Sequence, residues 1–171
     1  MNDAVPQNKS GMAALIGKDS NYVQKIIKDN NINLEVANDN SPKQVVISGD
    51  ISEIKNNKEL FLKNNIIKYV ILNVSAAFHS KLMLKAQEEL SEIINQVSFN
   101  SNKINIISNY NAEVSNDSLS IKKSLQQQMA NKVNWTNSVK KLSEIGQKNI
   151  IEIGPGKVLS GLIKRISNNF D

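Results

Sequence analysis

Between residues 10 and 72 the chain lays down four short apolar runs, with helical spacing between the first and second and between the third and fourth. Residues 11–17 (GMAALIG) are an apolar run set between glycines, which suits a buried strand. Ser20 stands where it can cap a helix carrying Val23, Ile26 and Ile27 on one face, with an end near Asn30 and Asn31. Residues 34–37 read as a second strand, followed by the dense turn signal Asn38-Asp39-Asn40-Ser41-Pro42. Residues 44–48 (QVVIS) are a third strand stopped by Gly49-Asp50. Ile51, Ile54, Leu60 and Phe61 mark a polar helix, and residues 66–72 (IIKYVIL) a fourth strand.

That order, β-α-β-β-α-β, is the split pattern of ferredoxin-like lobes: four antiparallel strands burying one face under two helices. The second half reads differently. A helix is expected over 80–96, with Met83, Leu84, Leu90, Ile93, Ile94 and, just past it, Val97 at helical spacing. A strand at 104–107 leads through a polar loop to two helices, 119–130 and 136–145, the latter closed by Gly146. Residues 150–153 (IIEI) are apolar but for Glu152, and read as a short parallel strand covered on both faces. Gly154-Pro155-Gly156 then turns the chain into a last helix over 158–168. Two strands do not make a stable parallel sheet, so this half reads as an incomplete α/β layer.

Bulk properties mainly exclude. The 171 residues contain no cysteine, which rules out disulfides, Cys-ligated zinc and thiol chemistry and fits a reducing cytoplasm. The first residues lack the apolar core of a secretory signal, and no apolar run is long enough to span a bilayer, so no membrane association is expected. A formal charge of +5 favours acidic partners, but the lysines are dispersed and aromatics are only 5%, so nucleic acid is not expected. No His/Asp/Glu cluster has metal-ligand spacing, and no metal or other cofactor is expected.

His79 is the only histidine and lies in Ala76-Ala77-Phe78-His79-Ser80, at a loop-to-helix junction. Two readings stand side by side. It is a solvated residue at a helix start, or it is a general base kept neutral by the positive end of the helix. The second needs a nucleophile, and no G-x-S-x-G elbow occurs in the sequence. Ser80 adjoins His79 without facing it. Ser138-Val139-Lys140-Lys141 matches S-x-x-K without companion motifs, and Gly154-Pro155-Gly156-Lys157 is a tight turn rather than a phosphate loop.

Five blocks, in order, resemble the malonyl-CoA:acyl-carrier-protein transacylase family. They are Met1 and Asp3-Ala4-Val5-Pro6 with residues 11–17; residues 37–49 (ANDNSPKQVVISG); residues 74–83 (VSAAFHSKLM); residues 133–139 (VNWTNSV); and residues 151–165 (IEIGPGKVLSGLIKR). The resemblance implies an α/β fold: a ferredoxin-like small lobe, residues 1–73, and the C-terminal part of an α/β-hydrolase-like acyltransferase core, residues 74–171. It implies that His79 is the catalytic base and acid, and that Gln128, in Leu125-Gln126-Gln127-Gln128-Met129, orients it through its backbone carbonyl. Asn38 and Asn40 match positions lining the cleft between lobes.

In that family a serine takes malonyl from malonyl-CoA and passes it to acyl carrier protein in fatty acid biosynthesis. The elbow serine, the glutamine of the oxyanion hole and the carboxylate-binding arginine are expected upstream of Met1. Two functions follow as expectations. One is an enzyme part, inactive until a complementing N-terminal chain supplies the serine; the other is a non-catalytic remnant that contacts acyl carrier protein. Residues 10–72 are expected to hold together better than 74–171, whose apolar faces would lack their cover.

Overall fold

The computed structural model describes residues 9–100 and 103–170, so the part of the first resembling block at Met1 and Asp3–Pro6 lies outside them. The fold is mixed α/β. Its first part runs β1 (Ser10–Ile16), α1 (Ser20–Asp29), β2 (Leu34–Ser41), β3 (Gln44–Asp50), α2 (Ile51–Asn56), α3 (Lys58–Lys63) and β4 (Lys68–Ile71). The strands form one sheet in the order β2-β3-β1-β4, every pair antiparallel. Alternate residues of β1 and β3, Ala13, Leu15, Val45 and Ile47, point to one face and are fully buried against Val23 and Ile26 of α1, Ile54 of α2 and Phe61 of α3. Phe61 packs on Tyr69 with ring centroids 5.8 Å apart, and the Tyr69 hydroxyl donates to the Ile54 carbonyl at 2.7 Å.

Three local expectations are corrected. Asp19, not Ser20, caps α1 by accepting from the Tyr22 N–H at 2.8 Å; the Ser20 hydroxyl is engaged elsewhere. The polar helix marked by Ile51, Ile54, Leu60 and Phe61 is two helices, broken at Asn57, whose side-chain amide donates back to the Glu53 carbonyl at 2.9 Å. Residues 38–41 are strand rather than turn, because β3 offers a backbone partner along their length. The turn shrinks to Pro42-Lys43, and the polar stretch is accommodated by register irregularities at Val36/Asn38 and Asp39/Ser41.

The second part comprises a 3₁₀ turn at Lys81–Met83, α4 (Leu84–Asn95), β5 (Ile106–Ile107), β6 (Val114–Ser115), α5 (Ser118–Gln127), a 3₁₀ turn at Gln128–Ala130, α6 (Trp135–Glu144) and α7 (Val158–Ile166). Gly146, at φ 79°, ends α6 as expected, with Gln147 N–H donating to the Leu142 carbonyl. A small apolar cluster of Ala76, Met83, Ala86, Met129 and Ala130 joins the 3₁₀ turns to α4.

The expected parallel strands are absent among the described residues. The strand at 104–107 reduces to β5, which pairs antiparallel with β6. Residues 150–153 belong to no helix or strand, with Ile151 84% and Ile153 94% exposed. A strand exists only by virtue of a neighbour, and among the described residues none pairs with this run.

Candidate active site

The second face of the sheet carries Met12, Ala37 and Val46, and Phe78 packs on them, laying the loop of residues 73–80 across the strands. The Ala77 peptide is held from both sides. Its N–H donates to the Ser10 hydroxyl at 3.1 Å, and its carbonyl accepts from the Ser80 hydroxyl at 2.7 Å. Ala76 and Ala77 are fully buried and Ser80 nearly so, which explains the run of small residues ahead of His79.

His79 adopts φ 58°, a left-handed conformation that costs a non-glycine residue of the order of 1 kcal/mol or more. The 3₁₀ turn at Gln128–Ala130 holds it there. The His79 N–H donates to the Met129 carbonyl at 3.2 Å, and ring Nδ1 lies 3.0 Å from the Gln128 carbonyl oxygen. A carbonyl can only accept, so Nδ1 carries the proton and Nε2 of the neutral ring presents its lone pair. This differs from the sequence expectation in one respect. His79 does not open an α-helix, since a 3₁₀ turn follows it and α4 begins only at Leu84, whereas the contact with the Gln128 carbonyl is the one the resemblance implied.

Gln128 acts on His79 through its backbone alone, its side-chain amide being turned to the Asn131 carbonyl at 3.2 Å. Its neighbour Gln126 reaches instead to Asn95 at 2.9 Å. Beside His79 is a hollow of about 350 Å³ bordered by Gln24, Glu35, Lys81 and Lys132. A larger one, about 550 Å³, lies between β5, β6 and α5, with Gln128 on its wall. The smaller hollow carries charges of both signs, Lys81 and Lys132 with Glu35.

Asn38 and Asn40 are half-buried on β2 and line neither hollow; Asn38 pairs with Val46 and bridges to Val133. The residue between them does more. Asp39, 7% exposed, accepts from Ser20 at 2.9 Å and from Thr136 at 2.6 Å, so it ties β2 to α1 and α6. Sequence reading placed Asp39 in a turn, and only the alternation along β2 signals its burial.

The remaining motifs carry no chemistry. Ser138 is buried and bonded to the Asn134 carbonyl, whereas Lys141 is paired with Glu144 at 2.9 Å, so the S-x-x-K residues do not meet. Gly154 and Gly156, at φ 149° and 85°, form the tight turn, and Glu152 caps α7 by accepting from the Leu159 and Ser160 N–H groups. Among the described residues no three His, Cys, Asp or Glu side chains could hold a metal, and no helix is long and apolar enough to cross a membrane.

The loop ahead of α4 thus presents an imidazole whose Nδ1 meets a backbone carbonyl, on a mixed α/β frame. The chain belongs to the acyl transferase domain family, whose model matches residues 3–168. It is 37% identical over 171 residues to a malonyl CoA-acyl carrier protein transacylase of Bacillus subtilis, covering 98% of this chain and 54% of that protein. It resembles the crystal structure of an acyl-carrier-protein S-malonyltransferase from Burkholderia pseudomallei (TM-score 0.93, 36% identity, 99% of this chain and 56% of that one). A type II polyketide acyl-carrier protein in complex with its malonyl-transacylase is also similar (TM-score 0.92, 29% identity, 99% of this chain and 55% of that one). The chain thus spans about half the length of the curated malonyl CoA-acyl carrier protein transacylases it matches.

Proposed function

We propose that this chain is the histidine-bearing part of a malonyl-CoA:acyl-carrier-protein transacylase. Residues 1–73 form its ferredoxin-like small lobe and residues 74–171 part of an α/β-hydrolase-like core, acting in cytoplasmic fatty acid biosynthesis. The observation that carries the reading is the 3.0 Å contact between His79 Nδ1 and the Gln128 carbonyl. It leaves Nε2 as the one ring atom able to accept a proton.

The serine comes from polypeptide outside these 171 residues. Nε2 takes the serine proton as the hydroxyl oxygen attacks the thioester carbonyl of malonyl-CoA, and returns it to the departing coenzyme A sulfur. In the second half, Nε2 takes the proton of the phosphopantetheine thiol on acyl carrier protein. That sulfur attacks the malonyl-serine ester, and the proton goes back to the serine oxygen. Oxyanion donors and a cation for the malonyl carboxylate are supplied with the serine. Asn38 and Asn40 border the cleft between the lobes. No cofactor takes part.

Ile151 and Ile153 support a complementing segment, since such side chains would be covered by the rest of a parallel sheet. A second reading, docking of acyl carrier protein without transfer, rests on the net charge of +5. Mass spectrometry after incubation with malonyl-CoA separates the two. The chain alone is expected to gain no malonyl ester, and with a serine-bearing segment added, the serine is expected to become acylated. His79→Ala is expected to slow that step by about a hundred- to ten-thousand-fold. A stable ester on the chain alone, or acylation indifferent to His79, contradicts the proposal.

A further inference from the structure

The 3₁₀ turn at Gln128–Ala130 spends two carbonyls on His79, yet three residues of 3₁₀ helix cannot fix their own orientation. Its anchor lies on α4. The Ala130 N–H, on a residue 6% exposed, donates to Oε1 of Gln87 at 2.9 Å, and Gln87 is itself only 7% exposed. Because an N–H must meet an acceptor, it is the amide oxygen of Gln87 that faces the turn. Gln87 is the buried end of a polar seam recurring every four residues on α4: the Ser91 hydroxyl donates to the Gln87 carbonyl at 2.7 Å, and Asn95 accepts from Gln126 of α5.

We infer that Gln87 is a positioning residue for His79, acting through the Ala130 amide and the Gln128 carbonyl; the inference rests on the general-base reading of His79. With Oε1 removed, the Ala130 N–H is buried and unpaired, and the turn rotates to find another acceptor. Rotation carries the Gln128 carbonyl away from Nδ1, so the ring loses the contact that fixes its tautomer. A purely space-filling glutamine would leave the tautomer alone.

The whole chain holds one histidine, so ring ¹⁵N signals of the labelled 171-residue protein report His79 alone. The parent protein is expected to show the Nδ1–H form. Gln87→Met should shift the population toward Nε2–H, and Gln87→Glu, which keeps an acceptor oxygen, should restore Nδ1–H. With a serine-bearing segment present, Gln87→Met should lower kcat about ten- to a hundred-fold with KM little changed.

Unchanged ring signals in Gln87→Met, or an equal change in Gln87→Glu, overturn the inference. Should Gln87→Met fail to fold, Gln87→Asn, whose oxygen is withdrawn by one methylene, decides in its place; collapse of both assigns Gln87 to packing and overturns it as well. A tautomer shift without any His79-dependent acylation sinks the functional reading and leaves the hold of Gln87 on the ring standing.

Discussion

Asp39 receives two hydroxyl donors in a place water barely reaches, Ser20 and Thr136 being 7% and 4% exposed. Replacing it by alanine strands the Ser20 hydroxyl, whereas Thr136 keeps the Asp39 backbone carbonyl at 3.0 Å, and an unpaired buried donor costs about 1–3 kcal/mol. Urea denaturation of Asp39→Ala should therefore show a loss of about 1–3 kcal/mol, and Asp39→Asn, which keeps one acceptor, a smaller one. Equal stability of Asp39→Ala and the parent protein would remove Asp39 from the joint. His79 was singled out in the sequence as the lone histidine, open between a solvated residue and a base, and Gln128 was singled out only through family resemblance. Asp39 and Gln87 were not, because their partners lie 97 and 43 residues away and only the folded chain brings them near.

The first turn of α7 depends on Glu152, whose carboxylate accepts from the Ser160 hydroxyl and the Ser160 and Leu159 amides while the cap residue Lys157 offers no side-chain bond. Those bonds, the Ser160 hydroxyl first, hold the Glu152 pKa below the usual carboxylate range. The folded form thus binds its proton less readily than the unfolded chain. The support is complete above the ordinary carboxylate pKa and is lost as pH falls through the lowered value. Protection of the Leu159 and Ser160 amides should drop between neutral and acid pH, and Glu152→Gln should abolish that dependence; pH-independent protection in the parent would refute the cap. Element recognition from sequence worked where burial imposes a period, as along β1 and β3. It failed for residues 38–41 and 150–153 in opposite senses, because a strand is defined by its neighbour: polar residues beside β3 are strand, and isoleucines with no paired strand among the described residues are not.

At the scale of the molecule, burial is uneven. The large cluster under α1, α2 and α3 belongs to residues 13–69, whereas Ile104, Leu119, Ile151, Ile153 and Val158 stand mostly in solvent. Hydrogen exchange should accordingly be slow over residues 10–72 and faster over 74–171. Addition of a serine-bearing segment should slow exchange at 150–153. Uniformly strong protection of both parts in the chain alone would contradict this account.

The bridge from Asn38 to Val133 has a consequence for self-association. The Asp39 N–H and the Ala37 carbonyl are both spent on Val133, and Arg165 of α7 reaches Gln44 near the same margin. One border of the four-stranded sheet is thereby sealed along its middle, and β4 is left as the border with no further strand among the described residues. Within this sheet, strand addition is confined to β4, and two copies meeting there would leave no open border of the sheet for a third.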